Sequence, residues 1–237
     1  MGRHTIIKGA FLGLISLGML SPAAAPALEP LRPSETRALT GVGVVNGTGP
    51  LGQAACTGTL IAPDTVLTAA HCAGDGTGTL WFMPGGLGPR ARAAVPARSV
   101  AVHPAYAGRT GLDRFAVDLA VLTLSAPLPA EVATPLPLLA RNGGSPPHLA
   151  LIGFSLRGPL PPVGRFDCRR TDGTVGTPMR LACPVSAGQS GGPALSRTAS
   201  GWRVAAVLVA QIGRGAEGAA LTAPLDAWVR APNAANR

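Results

Sequence analysis

Three side chains in this sequence have the types, the order and the surroundings needed to turn an alcohol into a nucleophile. His71 lies in Thr68-Ala69-Ala70-His71-Cys72, Asp118 opens Asp118-Leu119-Ala120-Val121-Leu122, and Ser190 lies in Gly188-Gln189-Ser190-Gly191-Gly192-Pro193. A serine hydroxyl attacks poorly near neutral pH. It needs a base within hydrogen-bond reach, and the base needs a third group to fix its tautomer. In that scheme His71 is the base, Asp118 orients it, and Ser190 attacks a carbonyl carbon. Each string has a plainer reading by itself. Ser-Gly-Gly-Pro is a common turn, a histidine beside a cysteine can be packed or can ligate a metal, and an aspartate can sit on a strand edge. The joint pattern favours a His-Asp-Ser triad. Asp113 is a nearby rival for the acid, but its Gly-Leu-Asp-Arg setting reads as exposed loop, whereas Asp118 leads an apolar run that reads as a buried strand. The other histidines read as bystanders: His103 as structural, and His148, after a Pro pair, as a solvated loop residue.

The elements that must hold these groups are short. From Gly41 onward the chain has apolar runs with β-branched residues, broken by frequent Gly and Pro, and no long 3.6-residue period. That pattern predicts an all-β fold. Strands are expected at Leu60-Ile61, Val66-Leu67, Val100 to Val102, Val117 to Leu124, Leu149 to Phe154, Met179 to Cys183, Trp202 to Ala210 and Ala219 to Thr222. The Pro-, Ala- and Gly-rich stretch from Ser125 to Pro147 reads as a connection between two halves. No internal repeat is visible.

The three strings resemble those of the trypsin-like (chymotrypsin-fold) serine peptidases, from about Gly41 to the Trp228 segment. The order His, Asp, Ser differs from that of α/β-hydrolases and subtilisins. The resemblance implies two six-stranded antiparallel Greek-key β-barrels, at about residues 41–125 and 148–223, inside a domain spanning 41–237. The active site would lie in the cleft between them, and Pro224 to Arg230 would form a short C-terminal helix. It also implies that the backbone N–H groups of Gly188 and Ser190 form the oxyanion hole.

Residues 1–27 read as a secretory signal peptide: basic Arg3, His4 and Lys8, an uncharged apolar run from Ala10 to Leu20, then small residues with cleavage favoured after Ala27. The apolar run is too short to span a bilayer comfortably, and no later segment reads as a membrane helix. Residues 28–40 read as a flexible lead-in. The four cysteines, Cys56, Cys72, Cys168 and Cys183, allow three pairings. An exported chain without a Cys-x-x-Cys pair favours disulfides over metal ligation, and the family resemblance implies Cys56 with Cys72 and Cys168 with Cys183. No metal or other cofactor is expected. The net charge of +9 raises the question of nucleic acid. Only 4% of the residues are aromatic, and the arginines are scattered apart from Arg169-Arg170, so stacking platforms and a basic stripe are both missing.

Some positions depart from the family pattern. Members activated by proteolysis carry an Asp before the nucleophile, where this chain has Gln189, and no Ile-Val-Gly-Gly-type new N-terminus is visible. Arg/Lys-specific members carry an Asp six residues before the nucleophile, where this chain has Pro184. The expected pocket wall, Val207 to Gln211 and Gly218 to Thr222, offers no carboxylate; Glu217 lies in a Gly-rich loop, and the histidine of glutamyl-specific enzymes is missing. Gln189 and the placement of Cys183 set the chain closest in style to bacterial secreted glutamyl-endopeptidase-like members. The expectation is a secreted or periplasmic serine endopeptidase. It would be a monomer acting on polypeptide, with no nucleic acid partner and no stable membrane insertion. Small or apolar residues are slightly favoured at the cleavage site. The competing expectation is a catalytically silent, basic binding protein on the same fold.

Overall fold

Apolar runs that lack a clean in–out alternation are explained by strands with two dry faces, one toward a barrel interior and one toward a neighbouring barrel. The structure, a computed structural model, describes residues 1–2, 29–53, 56–74, 78–142, 146–156, 161–171, 178–213 and 218–231. The expected signal peptide therefore lies, apart from its first two residues, outside the described residues.

Six strands close the first barrel: β2 (Val42–Asn46), β3 (Cys56–Ala62), β4 (Thr65–Thr68), β5 (Trp81–Pro84), β6 (Val95–Val102) and β7 (Ala120–Leu124), in the order β2-β3-β4-β7-β6-β5. The second comprises β8 (His148–Gly153), β9 (Val163–Arg170), β10 (Met179–Ala182), β11 (Pro193–Thr198), β12 (Gly201–Ile212) and β13 (Ala219–Pro224). It runs β9-β10-β13-β12-β11-β8 and closes through a β8–β9 pairing. All named pairings are antiparallel. The expected architecture of two six-stranded antiparallel barrels is therefore present.

The period of two sorts the side chains into three clusters. On β7, Ala120, Leu122 and Leu124 point into the first barrel with Leu60, Val66 and Phe82. On β8, Leu149 and Leu151 point into the second barrel with Leu181 and Leu208. The alternate residues, Val121 on β7 and Ala150 and Ile152 on β8, join a third cluster that draws on both barrels and forms the seam between them. Each disulfide stays within one barrel, Cys56–Cys72 in the first and Cys168–Cys183 in the second, as the family resemblance implied.

Among the described residues three α-helices accompany the barrels: α1 (Pro33–Ala38), α2 (Gly111–Ala116) and α3 (Ala227–Arg230). The residues read as a lead-in carry α1 and a two-residue strand, β1 (Glu29–Pro30), which pairs with β9 at Gly164 and Val163. At the start of α1 the Arg32 backbone N–H donates to Glu35 Oε2 at 2.8 Å and its guanidinium donates to Oε1. These bonds hold the Glu35 carboxyl below the usual carboxylate range. The Asp113 stretch, read as loop, is α2; six residues are too few to show a helical period. The strand expected from Val117 begins at Ala120 instead, because Val117 still ends the helix. The C-terminal helix is shorter than the stretch expected for it, and Asp226 caps it by accepting from the Trp228 and Val229 N–H groups.

Candidate active site

Strand pairing brings the first two candidate residues together. β4 and β7 are hydrogen-bonded neighbours with Thr68 opposite Ala120. His71 follows β4 in a short helical turn, and Asp118 lies two residues before β7. Asp118 Oδ2 lies 2.8 Å from His71 Nδ1, and Oδ1 accepts the His71 backbone N–H at 2.9 Å. Both carboxylate oxygens are therefore spent on one residue, and the carboxylate is only 2% exposed. This fixes the ring plane and puts a proton on Nδ1, so Nε2 is free to accept one. Asp113, the rival acid, lies exposed in the first turn of α2.

Ser190 comes from the second barrel, on the turn between β10 and β11. Two peptides of this turn bear on the expected oxyanion hole, and each is tied by its carbonyl. The Ala187 carbonyl accepts the Leu156 N–H at 2.9 Å, and the Gln189 carbonyl accepts the Gly192 N–H at 2.9 Å. In a trans peptide the N–H points opposite to the C=O. The Gly188 N–H thus points away from Leu156, and the Ser190 N–H points away from Gly192. Among the described residues neither N–H has a hydrogen-bond acceptor, so both remain available to an anionic oxygen. The turn needs glycine where it reverses: Gly188 has φ 96° and Gly191 φ 83°. Ser190 Oγ makes no hydrogen bond to the imidazole among the described residues; such bonds commonly close only when substrate is seated.

Thr57, on β3, joins the two halves and was not singled out from sequence. Its backbone N–H donates to the Ser190 carbonyl at 2.8 Å, and its hydroxyl donates to the Gly188 carbonyl at 2.8 Å. The same hydroxyl accepts the Phe154 N–H at 3.0 Å, and the Thr57 carbonyl accepts the Thr68 hydroxyl at 2.8 Å. Thr57 is fully buried. Its neighbour Cys56 is bonded to Cys72, next to His71. No local sequence signal marks Thr57, because its partners lie far along the chain.

Two clefts flank this centre. One, of about 590 Å³, is lined by His71, Asp118, Tyr106, Leu112, Phe115 and Val209. There Arg114 stacks 4.3 Å over the Tyr106 ring. Burial pushes the Tyr106 phenol above its ordinary value and the Asp118 charge adds to this, while Arg114 opposes it. The other cleft, of about 530 Å³, lies beside the Ser190 turn and is lined by Leu51, Leu87, Ser155 and Leu156.

Gln189 is fully buried. Its Oε1 accepts from the Ser186 N–H at 2.8 Å, which fixes the amide orientation, and its Nε2 has no partner among the described residues. Pro184 and Val185 lie at the base of the turn, and Thr222 is buried with its hydroxyl on the Met179 carbonyl at 3.4 Å. Glu217 lies outside the described residues. His103 is buried and bonded to Asp226 at 2.8 Å. His148 begins β8 and is exposed. Cys56, His71 and Cys72 are close enough together to hold a metal ion, but both thiols are spent in a disulfide.

The Trypsin family model matches residues 34–151. The match takes in the first barrel with His71 and Asp118 and ends in β8, before Ser190. No curated protein matches the chain.

Proposed function

With the chain a trypsin-like serine peptidase of the chymotrypsin fold, we propose that it is an exported endopeptidase using His71, Asp118 and Ser190 through an acyl-enzyme. A substrate carbonyl enters between Ser190 and the two turn N–H groups. His71 Nε2 takes the Ser190 proton as Oγ attacks, and the Gly188 and Ser190 N–H groups receive the oxyanion. His71 then gives its proton to the leaving amine. Water hydrolyses the ester by the same steps in reverse roles. Asp118 holds the ring and stabilises the imidazolium without itself taking the proton. The observation that carries this reading is the buried Asp118 with both oxygens on His71.

Two disulfides and no free cysteine among the described residues support export, since such bonds persist in oxidising compartments. No helix among the described residues is long and apolar enough to cross a membrane. The protein is read as a monomer that is secreted or periplasmic. Both clefts present apolar side chains, and Pro184 stands where a carboxylate would select a basic residue, which supports small or apolar residues at the cleavage site. Gln189 and Cys183 keep the chain in style beside the bacterial glutamyl-endopeptidase-like members, without their acid-selecting histidine.

The test is labelling with a serine-directed fluorophosphonate, mapped by mass spectrometry of the digest. The wild-type protein takes the label at Ser190. Ser190→Ala takes none, loses several powers of ten in kcat on peptides, and keeps its thermal midpoint. A wild-type protein that is folded but unlabelled would instead be a silent binding protein.

A further inference from the structure

We propose that Thr57 is a positioning residue for the oxyanion turn: its hydroxyl, set in the first barrel, holds the Gly188 carbonyl of the second. The inference rests on the proposed acyl-enzyme chemistry and goes beyond it, because Thr57 touches neither substrate nor reacting atoms. Three observations carry it. The hydroxyl is fully used, donating to the Gly188 carbonyl and accepting from the Phe154 N–H. The backbone N–H of the same residue holds the next carbonyl but one, that of Ser190. The residue is fully buried, so water does not compete for these bonds.

Geometry makes the hydroxyl matter to the N–H groups aimed at the substrate. The Gly188 carbonyl belongs to the peptide that links the Gly188 and Ser190 donors through Gln189. If that peptide rotates, the angle between the two donors changes. Gly188 has no Cβ and a φ of 96°, so its own side-chain sterics do not resist rotation. The restraint has to come from hydrogen bonds, and Thr57 supplies the one on this carbonyl. Valine has nearly the shape of threonine but no hydroxyl. It would leave a buried donor on Phe154 and a buried acceptor on Gly188 unpaired, and the turn would relax to re-pair them.

The experiment compares wild type, Thr57→Val, Thr57→Ala and Thr57→Ser. The readouts are kcat, KM, fluorophosphonate labelling, and the affinity ratio of a peptidyl trifluoromethyl ketone to the matching uncleaved peptide amide. The ketone forms an oxyanion on Ser190, whereas the amide does not. Thr57→Val is expected to lose about tenfold or more in kcat with KM within about twofold, and to lose affinity for the ketone selectively. Thr57→Ser, which keeps the hydroxyl, is expected to restore the ratio to within about threefold of wild type. If Thr57→Val does not fold, Thr57→Ala, which lacks the hydroxyl without adding bulk, decides on the same ratio. An unchanged ratio in a folded, hydroxyl-free variant overturns the proposal. So does a serine variant as impaired as the valine one. Wild type that takes no label at Ser190 overturns the enzyme reading and this one with it, whereas a labelled wild type with an unchanged ratio overturns this one alone.

Discussion

Tyr106 is the sole tyrosine of the chain and lines the cleft that holds His71 and Asp118. Its ionisation can therefore be followed as the only tyrosinate absorbance signal. Burial first, and the Asp118 charge second, disfavour the phenolate in the folded state. The midpoint should lie above the ordinary value of about 10, and Asp118→Asn should bring it part of the way down. A midpoint unmoved by that substitution would show that the Asp118 charge is not felt at the ring. The sign for stability follows. A pKa raised by folding gives stability that is present below the unfolded value and lost as pH rises through the folded one. Denaturation midpoints should accordingly fall on the alkaline side of about pH 10 in wild type and less so in Tyr106→Phe.

Gln189 carries a different expectation. An incoming α-ammonium needs acceptors. Here the one amide oxygen is taken by the Ser186 N–H, and the free Nε2 is itself a donor. Acetylating the mature N-terminus should leave kcat/KM roughly unchanged. A large loss on blocking the amine, reversed on exposing it, would show that an acceptor elsewhere in the chain does this work. His71, Asp118, Ser190 and Gln189 were legible in the sequence because each sits in a short string whose neighbours constrain it. Val209 fell within the expected pocket wall, but Thr57 and Tyr106 were not singled out, since what they do depends on partners brought in by strand pairing.

At the scale of elements, α3 is held at its start by Asp226, whose one carboxylate oxygen caps two N–H groups and whose other meets His103 Nε2 at 2.8 Å. The His103 ring also packs edge-on to Trp228, with centroids 5.1 Å apart. Its backbone N–H donates to the Leu119 carbonyl, next to Asp118. Asp226→Ala removes the cap and strands a buried histidine, so a loss of about 1–2 kcal/mol is expected in chemical denaturation. Asp226→Asn, which keeps a cap oxygen, should lose less. Equal losses would place the cost in the His103 contact instead. The C-terminal helix was legible because its residues match a family pattern. The helix before Asp118 was not, being too short to show its period. Nor did the sequence mark β1, whose two residues are defined only by their partner β9.

For the whole molecule, the two disulfides staple each barrel internally and leave the seam to packing and hydrogen bonds. Thiol titration of the denatured, unreduced protein should find no free cysteine. Reduction should then destabilise the fold, with each closed loop worth about 3 kcal/mol in the chain-entropy model. Unaltered denaturation midpoints after full reduction would show that the staples contribute little beyond the packed interiors. The all-β class was readable from the spacing of turn residues. The pairing of strands into two closed barrels was not, because closure is a property of non-local register, and it came only through the family resemblance.

The hydroxyl bond between Thr57 and Gly188 spans 131 residues of chain, and that between Asp118 and His71 spans 47. Contacts over such separations form only after distant parts of the chain have been brought together, at a cost in closure entropy. A polypeptide still emerging from the ribosome, or held extended, owns these side chains and yet has no place where they meet. On the proposed chemistry, the division of the triad between two barrels would set a clock: hydrolytic power would arrive only once both halves have folded and docked.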